Sequence, residues 1–402
     1  MTDSPPTTEI ISIGDELLLG NIVDSNSAHI ARAMHDVGMR VRHGQIVGDD
    51  EAEIAAAVSL ALSRAELVIT TGGLGPTVDD KTRTGVAQAV GCELEFRPEL
   101  LTQIESRFSR WRRRMSENNQ LQAYVPSGAI AIENPVGTAP VFIVVQESCR
   151  VVCLPGVPRE MTHLLETEIL PYVKKQFTLN YVFLTRVLHV AGLGESVIDA
   201  RVGELEHLDN PVVGLAAHAG VVDIRITAQA ETEAAAKELI ASVEEKARKK
   251  LGDAIYGSDG EALAGAALRI LRQDGRAVAV RESGTRGWLA GKLAEADNGR
   301  NTFRGGELLA SLPPGYDLEA QASRLARECL GWHGADLGLA VVIVSQDGKI
   351  EVGLAVADGK AGSESTVQRG FGGHPEYARE WSSNVCLDLL RRWDPAQARL
   401  FR

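Results

Sequence analysis

The sequence predicts an α/β protein with three parts: a three-layer domain on a mostly parallel sheet, a smaller α+β module, and a third α/β unit. Three observations carry that expectation. From residue 9 to about 175, short apolar runs alternate with helix-length segments, the pattern of right-handed βαβ units covered on both faces. After Tyr181 the rhythm changes, with strands in close succession and one long helix. And 402 residues exceed what one hydrophobic core ordinarily organises.

Residues 9–13 form an apolar run followed by Gly14, which suits a buried strand. Asp24, Ser25, Asn26 and Ser27 make a helix-capping cluster; Ile30, Ala33, Met34 and Val37 follow at helical spacing, and Gly38 closes the helix. Residues 40–47 read as a strand, 51–63 as an Ala-rich helix, and 67–71 as a strand running into Gly72-Gly73. Further helices are expected up to Val90 and over 98–115. Adjacent strands follow over 141–145 and 151–154, then a helix from Pro158 to about Lys175. The middle module reads as strand 181–190, helix 195–205, strands 212–217 and 221–228, and helix 232–251. Gly257-Ser258-Asp259-Gly260 reads as a linker. Beyond it come a helix over 262–272, a strand over 277–280, and strands over 337–344 and 350–356 paired through Gln346-Asp347-Gly348. A final helix covers 375–392. The expected domains are 8–176, 181–256 and 260–402.

The net charge of −12 disfavours non-specific attachment to nucleic acid or anionic membrane. The basic run at residues 110–114 is bounded by Glu105 and Glu117 and reads as a solvated helix face. No apolar stretch is long enough to span a bilayer, and the first residues lack the basic and apolar regions of a signal peptide. The expected location is cytoplasmic. Five scattered cysteines, with no second pair at zinc spacing, read as reduced structural thiols.

In an open parallel sheet, ligands sit beyond the carboxyl ends of the strands. Three loops qualify: residues 14–20 after the first strand, 71–80 after the third, and 154–160 after a later one. In the second, Gly72, Gly73 and Gly75 permit close backbone approach, and their amides suit an anion nest beside a helix N-terminus. Asp79 and Asp80 fit simple caps as well as ligands. Asp15, Glu16, Asp24, Asp79 and Asp80 put carboxylates along the same rim. Carboxylates beside a phosphate repel it unless a hard divalent cation intervenes, so the pattern suggests metal-assisted chemistry on a diphosphate. Arg159, at a helix start, fits a phosphate or a carboxylate of the rim.

These segments, together with Glu117-Asn118-Asn119, residues 134–140 and residues 154–161, resemble the CinA (competence/damage-inducible) family over about residues 8–256. The first domain is similar to the MoaB/MogA molybdopterin-binding fold, and Gly192-Leu193-Gly194-Glu195 begins a stretch similar to the family's KH-type middle domain. The resemblance implies a homodimer whose first domain is a divalent-cation-dependent (Mg2+ or Co2+) nucleotide pyrophosphatase of the ADP-ribose type. It implies a nicotinamide-nucleotide amidase in the third. On that basis Asp80 and Asp24 are the expected catalytic carboxylates, with Glu16 joining them as metal ligands. Gly72, Gly73, Gly75 and Thr77 are expected to cradle phosphate. Asn118, Asn119, Asn134, Thr138 and Arg159 are expected to bind substrate, with loop-stabilising Asx turns as the alternative for the asparagines and Thr138. The KH-type module reads as a spacer or dimerisation unit, since it shows no basic Gly-x-x-Gly loop.

Residues 282–287, Glu-Ser-Gly-Thr-Arg-Gly, resemble the family's Glu-Ser-Cys-Thr-Gly-Gly motif, placing Ser283 at the amidase nucleophile on an expectedly exposed strand-to-helix turn. The family's tyrosine and lysine positions are Ala310 and Gly315 here, and its Gly-Ile-Ala-Gly-Pro loop is replaced by residues 344–348. His333 and His374 read as surface loop residues rather than replacement bases. The expectation is a vestigial amidase domain. The competing readings are a non-catalytic pterin or nucleotide binder and a surviving amidase.

Overall fold

The structure, a computed structural model, describes residues 5–313, 315–346 and 348–394. They form two compact units: the chain up to Leu184 with Gln229–Ala236, and Thr185–Ala228 with the chain from Lys237 onward.

The first unit is built on strands β1 (Thr7–Ile13), β2 (Arg40–Val47), β3 (Leu67–Thr71), β4 (Leu94–Phe96), β5 (Tyr124–Pro126), β6 (Ile130–Ile132), β7 (Val141–Gln146) and β8 (Cys149–Leu154). Its main sheet runs β2-β1-β3-β8-β7-β6, with β4 and β5 forming a separate ribbon. The first four strands are mutually parallel, and β7 and β6 are antiparallel additions. Strand alternation divides the core into two layers. Ile11, Ile13, Val68, Phe142, Val151 and Cys153 face helices Glu51–Leu62, Thr82–Val90 and Pro98–Arg110. Ile10, Ile69, Ile143, Val152 and Leu154 face Ile30 and Met34 of helix Ser25–Asp36 and Met161 and Leu164 of helix Pro158–Leu164. Burial on both faces is why these strands read as continuous apolar runs.

Two boundaries differ from expectation. The helix beginning at Pro98 ends at Arg110, and Arg112 is left-handed at φ 52°. The helix from Pro158 contains a wide π turn at Leu165–Ile169 before continuing over Leu170–Gln176. Pro171, with no amide hydrogen to donate, follows that widened turn.

The second unit contains a four-stranded sheet, β10-β11-β9-β12, made of β9 (Val182–Ala191), β10 (Val212–His218), β11 (Val221–Ala230) and β12 (Ile255–Ser258). The expected linker at 257–260 is thus half strand: Gly257 and Ser258 pair antiparallel with His189 and Leu188. A five-stranded sheet, β14-β13-β15-β16-β17, follows from β13 (Val278–Ser283), β14 (Phe303–Leu309), β15 (Leu337–Gln346), β16 (Lys349–Asp358) and β17 (Ser363–Phe371). β15 and β16 form the expected hairpin, with Gln346 opposite Lys349; Asp347 lies outside the described residues. Val278, Val280, Leu339 and Val341 pack on one side with helices Leu263–Gln273 and Ala378–Arg391, while Ala340, Val342 and Ala355 meet helix Leu318–Glu328 on the other. No helix among the described residues is long and apolar enough to cross a membrane.

Candidate functional site

β1, β3 and β8 are parallel neighbours, so the three glycine-bearing loops leave the same sheet edge. They interlock. The Gly72 amide donates to the Leu154 carbonyl at 3.1 Å. Gly72 has φ +111°, and a Cβ there would lie 2.1 Å from the Ile13 carbonyl oxygen, so only glycine lets the β3 loop press against the end of β1. Asn26, in the first turn of the helix after Asp24, donates through Nδ2 to Thr71 Oγ1 at 3.0 Å and to the Gly156 carbonyl at 2.8 Å. Thr71 Oγ1 donates in turn to the Pro155 carbonyl at 3.1 Å. Asn26 Oδ1 is buried without a hydrogen-bond partner among the described residues. Asn26 was legible as part of the capping cluster, but nothing in the sequence placed it on the lip.

Inside the glycine loop the expected nest is partly consumed. Asp80 accepts the Gly75 amide at 2.6 Å through Oδ1, and the Thr77 amide and hydroxyl, both at 2.7 Å, through Oδ2. Gly72, Gly75 and Thr77 therefore spend their amides inside the protein. The Gly73 and Leu74 amides donate to no group among the described residues. Arg83, which sequence reasoning passed over, is buried behind the loop and donates to the carbonyls of Leu74 at 2.7 Å and Gly75 at 2.8 Å. Burial lowers its pKa while Asp80 opposes that shift. A guanidinium behind the loop adds positive potential where an anion would sit.

Asp24 caps helix Ser25–Asp36. It accepts the Ser27 amide at 2.9 Å and the hydroxyls of Ser12 and Ser27, each at 2.6 Å. Burial pushes its carboxyl up, but these hydrogen bonds together hold it below the usual value. The acidic neighbour of Asp80 is instead Asp49, just beyond β2. The Asp15 amide donates to Asp49 Oδ2 at 3.0 Å, and the Asp49 amide to Asp15 Oδ1 at 3.2 Å. Burial raises the Asp49 pKa, and the charges of Asp15, Glu16 and Asp80 add to the rise. The metal set Asp80, Asp24 and Glu16 is not assembled. Among the described residues no three His, Cys, Asp or Glu side chains form a group able to hold an ion. Asp80 and Asp24 have turned their oxygens to backbone and hydroxyl donors, so these residues do not fit a resident cation as placed.

Asn134 is a brace rather than a free ligand group. Its Oδ1 accepts the amides of Val136 at 3.0 Å and Gly137 at 2.9 Å; its Nδ2 donates to the Ala139 carbonyl at 3.0 Å and to Glu160 at 2.6 Å. Asn119 is likewise buried, bonded to Ser116 and Gln122, and Gln122 reaches the Leu74 carbonyl at 3.3 Å. Asn134 thus makes the Asx turn of the alternative reading, whereas Asn119 bonds side chains. Asn118, Thr138 and Arg159 remain without a hydrogen bond or ion pair among the described residues, and Asn118 and Arg159 are exposed. Arg159 therefore takes no rim carboxylate as its partner.

Residues 9–175 match the family described as Probable molybdopterin binding domain, and residues 185–257 match the Damage-inducible protein CinA KH domain. A competence-damage inducible protein of Alkaliphilus oremlandii is 35% identical over 406 aligned residues, covering 96% of this chain and 98% of its own. The chain belongs to the CinA family. A competence-damage inducible protein of Halothermothrix orenii is 38% identical over 303 residues, covering 75% of this chain and 73% of its own. A solved structure of CinA from Thermoplasma acidophilum is 35% identical, covers 42% of this chain and 97% of its own, and has a TM-score of 0.39. The CinA family assignment, the molybdopterin-binding type of first domain and the KH-type module all agree with the sequence reading.

The turn at residues 282–287, whose sequence resembles an amidase motif, is closed. Ser283 is fully buried, not exposed as expected, and its hydroxyl donates to the Ala310 carbonyl at 2.9 Å. A carbonyl cannot take the hydroxyl proton, so this contact supplies no base. Glu282 is equally buried, accepting the Thr285 hydroxyl and the amides of Leu289 at 3.2 Å and Ala290 at 2.9 Å. It caps the following helix. Gly284 stands where the family has cysteine, at φ +85°, with space for a Cβ only 2.8 Å from the Ile343 carbonyl oxygen. His374 is exposed and faces Glu376, and His333 sits in a 3-10 turn beside Trp332.

Proposed function

We propose that the first domain hydrolyses the diphosphate of a nucleotide of the ADP-ribose class. The observation that carries this reading is the lip itself: three strand ends and one helix start fused by Asn26, Thr71 and Gly72, with the Gly73 and Leu74 amides unspent among the described residues, and Arg159 exposed at the start of the helix that follows the β8 loop. Those donors suit phosphate oxygens. Water attacks one phosphorus, its proton passes to a carboxylate, and the bridging P–O bond breaks to release AMP and ribose phosphate. Asp49 suits the proton acceptor, because a raised carboxyl pKa brings it nearer the working pH. The divalent cation belongs to the substrate in this reading, carried on its phosphates, since no ligand set for a resident ion is assembled among the described residues.

A second reading has its own support. Asp80 and Asp24, the carboxylates expected to be catalytic, each accept three hydrogen bonds from structural donors. That is what a nucleotide or pterin binder without turnover would show. One assay separates the two: AMP release from ADP-ribose with Mg2+ or Co2+, beside calorimetric binding. Release that disappears in Asp49→Asn while binding persists supports hydrolysis; binding with no release in the wild type supports the binder.

The third segment acts, in this reading, as a non-catalytic unit. Its support is the buried Ser283 hydroxyl, spent on a carbonyl. Turnover of nicotinamide mononucleotide by the full chain, abolished in Ser283→Ala, would overturn it. The family's homodimer is part of the same proposal, and light scattering of the purified chain tests it directly.

A further inference from the structure

The second unit holds a cleft of about 1270 Å3 that neither the diphosphate lip nor the Ser283 turn uses. That exceeds the few hundred to about 1,000 Å3 typical of small-ligand sites, so a ligand need occupy only part of it. Its sides differ in chemistry.

One side is self-satisfied. Asp223 of β11 lies 2.7 Å from His189 Nδ1 and 3.2 Å from His218 Nε2, and His189 Nε2 lies 2.6 Å from the Asp259 carbonyl oxygen. Tyr256 stacks on His189 with ring centroids 5.5 Å apart. At the far end Asp388 is matched by Arg391 and Arg392. These groups hold one another in place.

The other side has unspent donors on an aromatic surface. The Phe371 and Trp381 rings lie 5.2 Å apart and tilted, forming an apolar wall. The Arg369 guanidinium, the Trp381 indole N–H and the Tyr256 hydroxyl line the cleft and find no hydrogen-bond acceptor among the described residues. Burial, with Asp223 adding to it, pushes the Tyr256 phenol up to about 12, so it stays a donor. Lys292 contributes a second cation, 3.5 Å from Asn384, 3.7 Å from Glu380 and 5.7 Å from the centre of the Trp288 ring. Among the described residues the lining carboxylate Glu195 has no Lys or Arg partner, and it is exposed; Asp223 is bonded to histidines. Free donors and cations beside ring faces are complementary to a planar ligand rich in acceptors and carrying negative charge.

We propose that this cleft is a second ligand site, for a nucleoside monophosphate or a molecule of that class, with the heteroaromatic ring on Trp381 and Phe371 and the phosphate on Arg369 and Lys292. The site shares no residue with the diphosphate lip, and it stands whether or not that lip is hydrolytic.

The test is calorimetric titration of the full chain with AMP, adenosine and inorganic phosphate in turn. AMP should bind more tightly than either fragment. Arg369→Glu and Lys292→Glu should each weaken AMP by at least about tenfold, with Arg369→Lys close to wild type. Arg369 is exposed and has no ion-pair partner among the described residues, so its substitution should leave the thermal melt where it was. Absence of AMP binding overturns the proposal. So does AMP binding insensitive to both charge reversals, which would put the ligand elsewhere, and so does phosphate binding as tightly as AMP, which would leave the aromatic wall without a role.

Discussion

The side-chain amide of Asn26 donates to the carbonyl oxygen of Gly156 at 2.8 Å, across 130 residues of chain. The same nitrogen reaches Thr71 at 3.0 Å, so one buried amide ties helix Ser25–Asp36 to the ends of β3 and β8. Helices and strands position the loops only coarsely; this contact sets where one loop stands against the next.

Asn26→Ala removes both bonds and leaves the Gly156 carbonyl short of a donor. The expected cost is about 1–3 kcal/mol in urea denaturation. Ligand affinity at the lip should fall with it, because the loops it joins carry the free amides. A loss below about 0.5 kcal/mol, within the range of an ordinary surface change, would show that the three loops hold together without it.

Asp24 carries a pH signature. Its folded carboxyl sits below the usual value because the Ser12 and Ser27 donors outweigh the cost of burial. The stabilisation is therefore complete above the unfolded value, near 3.9, and is lost as pH falls through the folded one. Wild type should exceed Asp24→Ala by about 1 kcal/mol at neutral pH, the usual worth of an N-cap. The difference should close in acid. Denaturation curves at pH 7 and below pH 4 read this directly, and a gap that persists in acid refutes it.

Asp49 should behave in the opposite sense. Burial, with Asp15, Glu16 and Asp80 around it, holds its folded pKa above the unfolded value. Its favourable contribution is present below the unfolded value and is lost as pH rises through the folded one. At neutral pH it is a net burden that Asn removes, while the Asn oxygen can still accept the Asp15 amide. Asp49→Asn should thus be at least as stable as wild type near pH 7 and lose that advantage in acid. If the carboxylate is the proton acceptor, the same variant should lose AMP release by orders of magnitude. Stability and activity moving in opposite directions is the result that separates a functional carboxylate from a structural one.

The parallel core was legible because β1, β3 and β8 are buried on both faces, which leaves apolar runs in the sequence. The lip was legible because ligand loops follow strand ends. Asp49 obeys that rule too, at the end of β2, but β2 is an exposed edge strand with little apolar signal. The roles of Asp80, Asn119 and Asn134 were not legible, because a capping carboxylate and a ligand carboxylate have the same sequence and differ only in where the donors stand. Composition misled at Gly257 and Ser258: turn-forming residues sit in β12 because β9 supplies the partner strand. β14, with Gly305 and Gly306 inside it, and β17, polar and largely exposed at a sheet edge, left no periodicity to read.

The closed turn at Ser283 offers a further test. Restoring the family residue, Gly284→Cys, puts a side chain on a backbone at φ +85° and a Cβ within 2.8 Å of the Ile343 carbonyl oxygen. Left-handed strain costs on the order of 1–3 kcal/mol, and the contact adds to it. The variant should therefore melt several degrees below wild type and gain no amidase activity, since Ser283 would still face the Ala310 carbonyl rather than a base. Ser283→Ala should change the melting temperature modestly and nicotinamide mononucleotide turnover not at all. A stable Gly284→Cys protein would mean the turn retains the family's geometry, and the case for a closed, non-catalytic unit would fail with it.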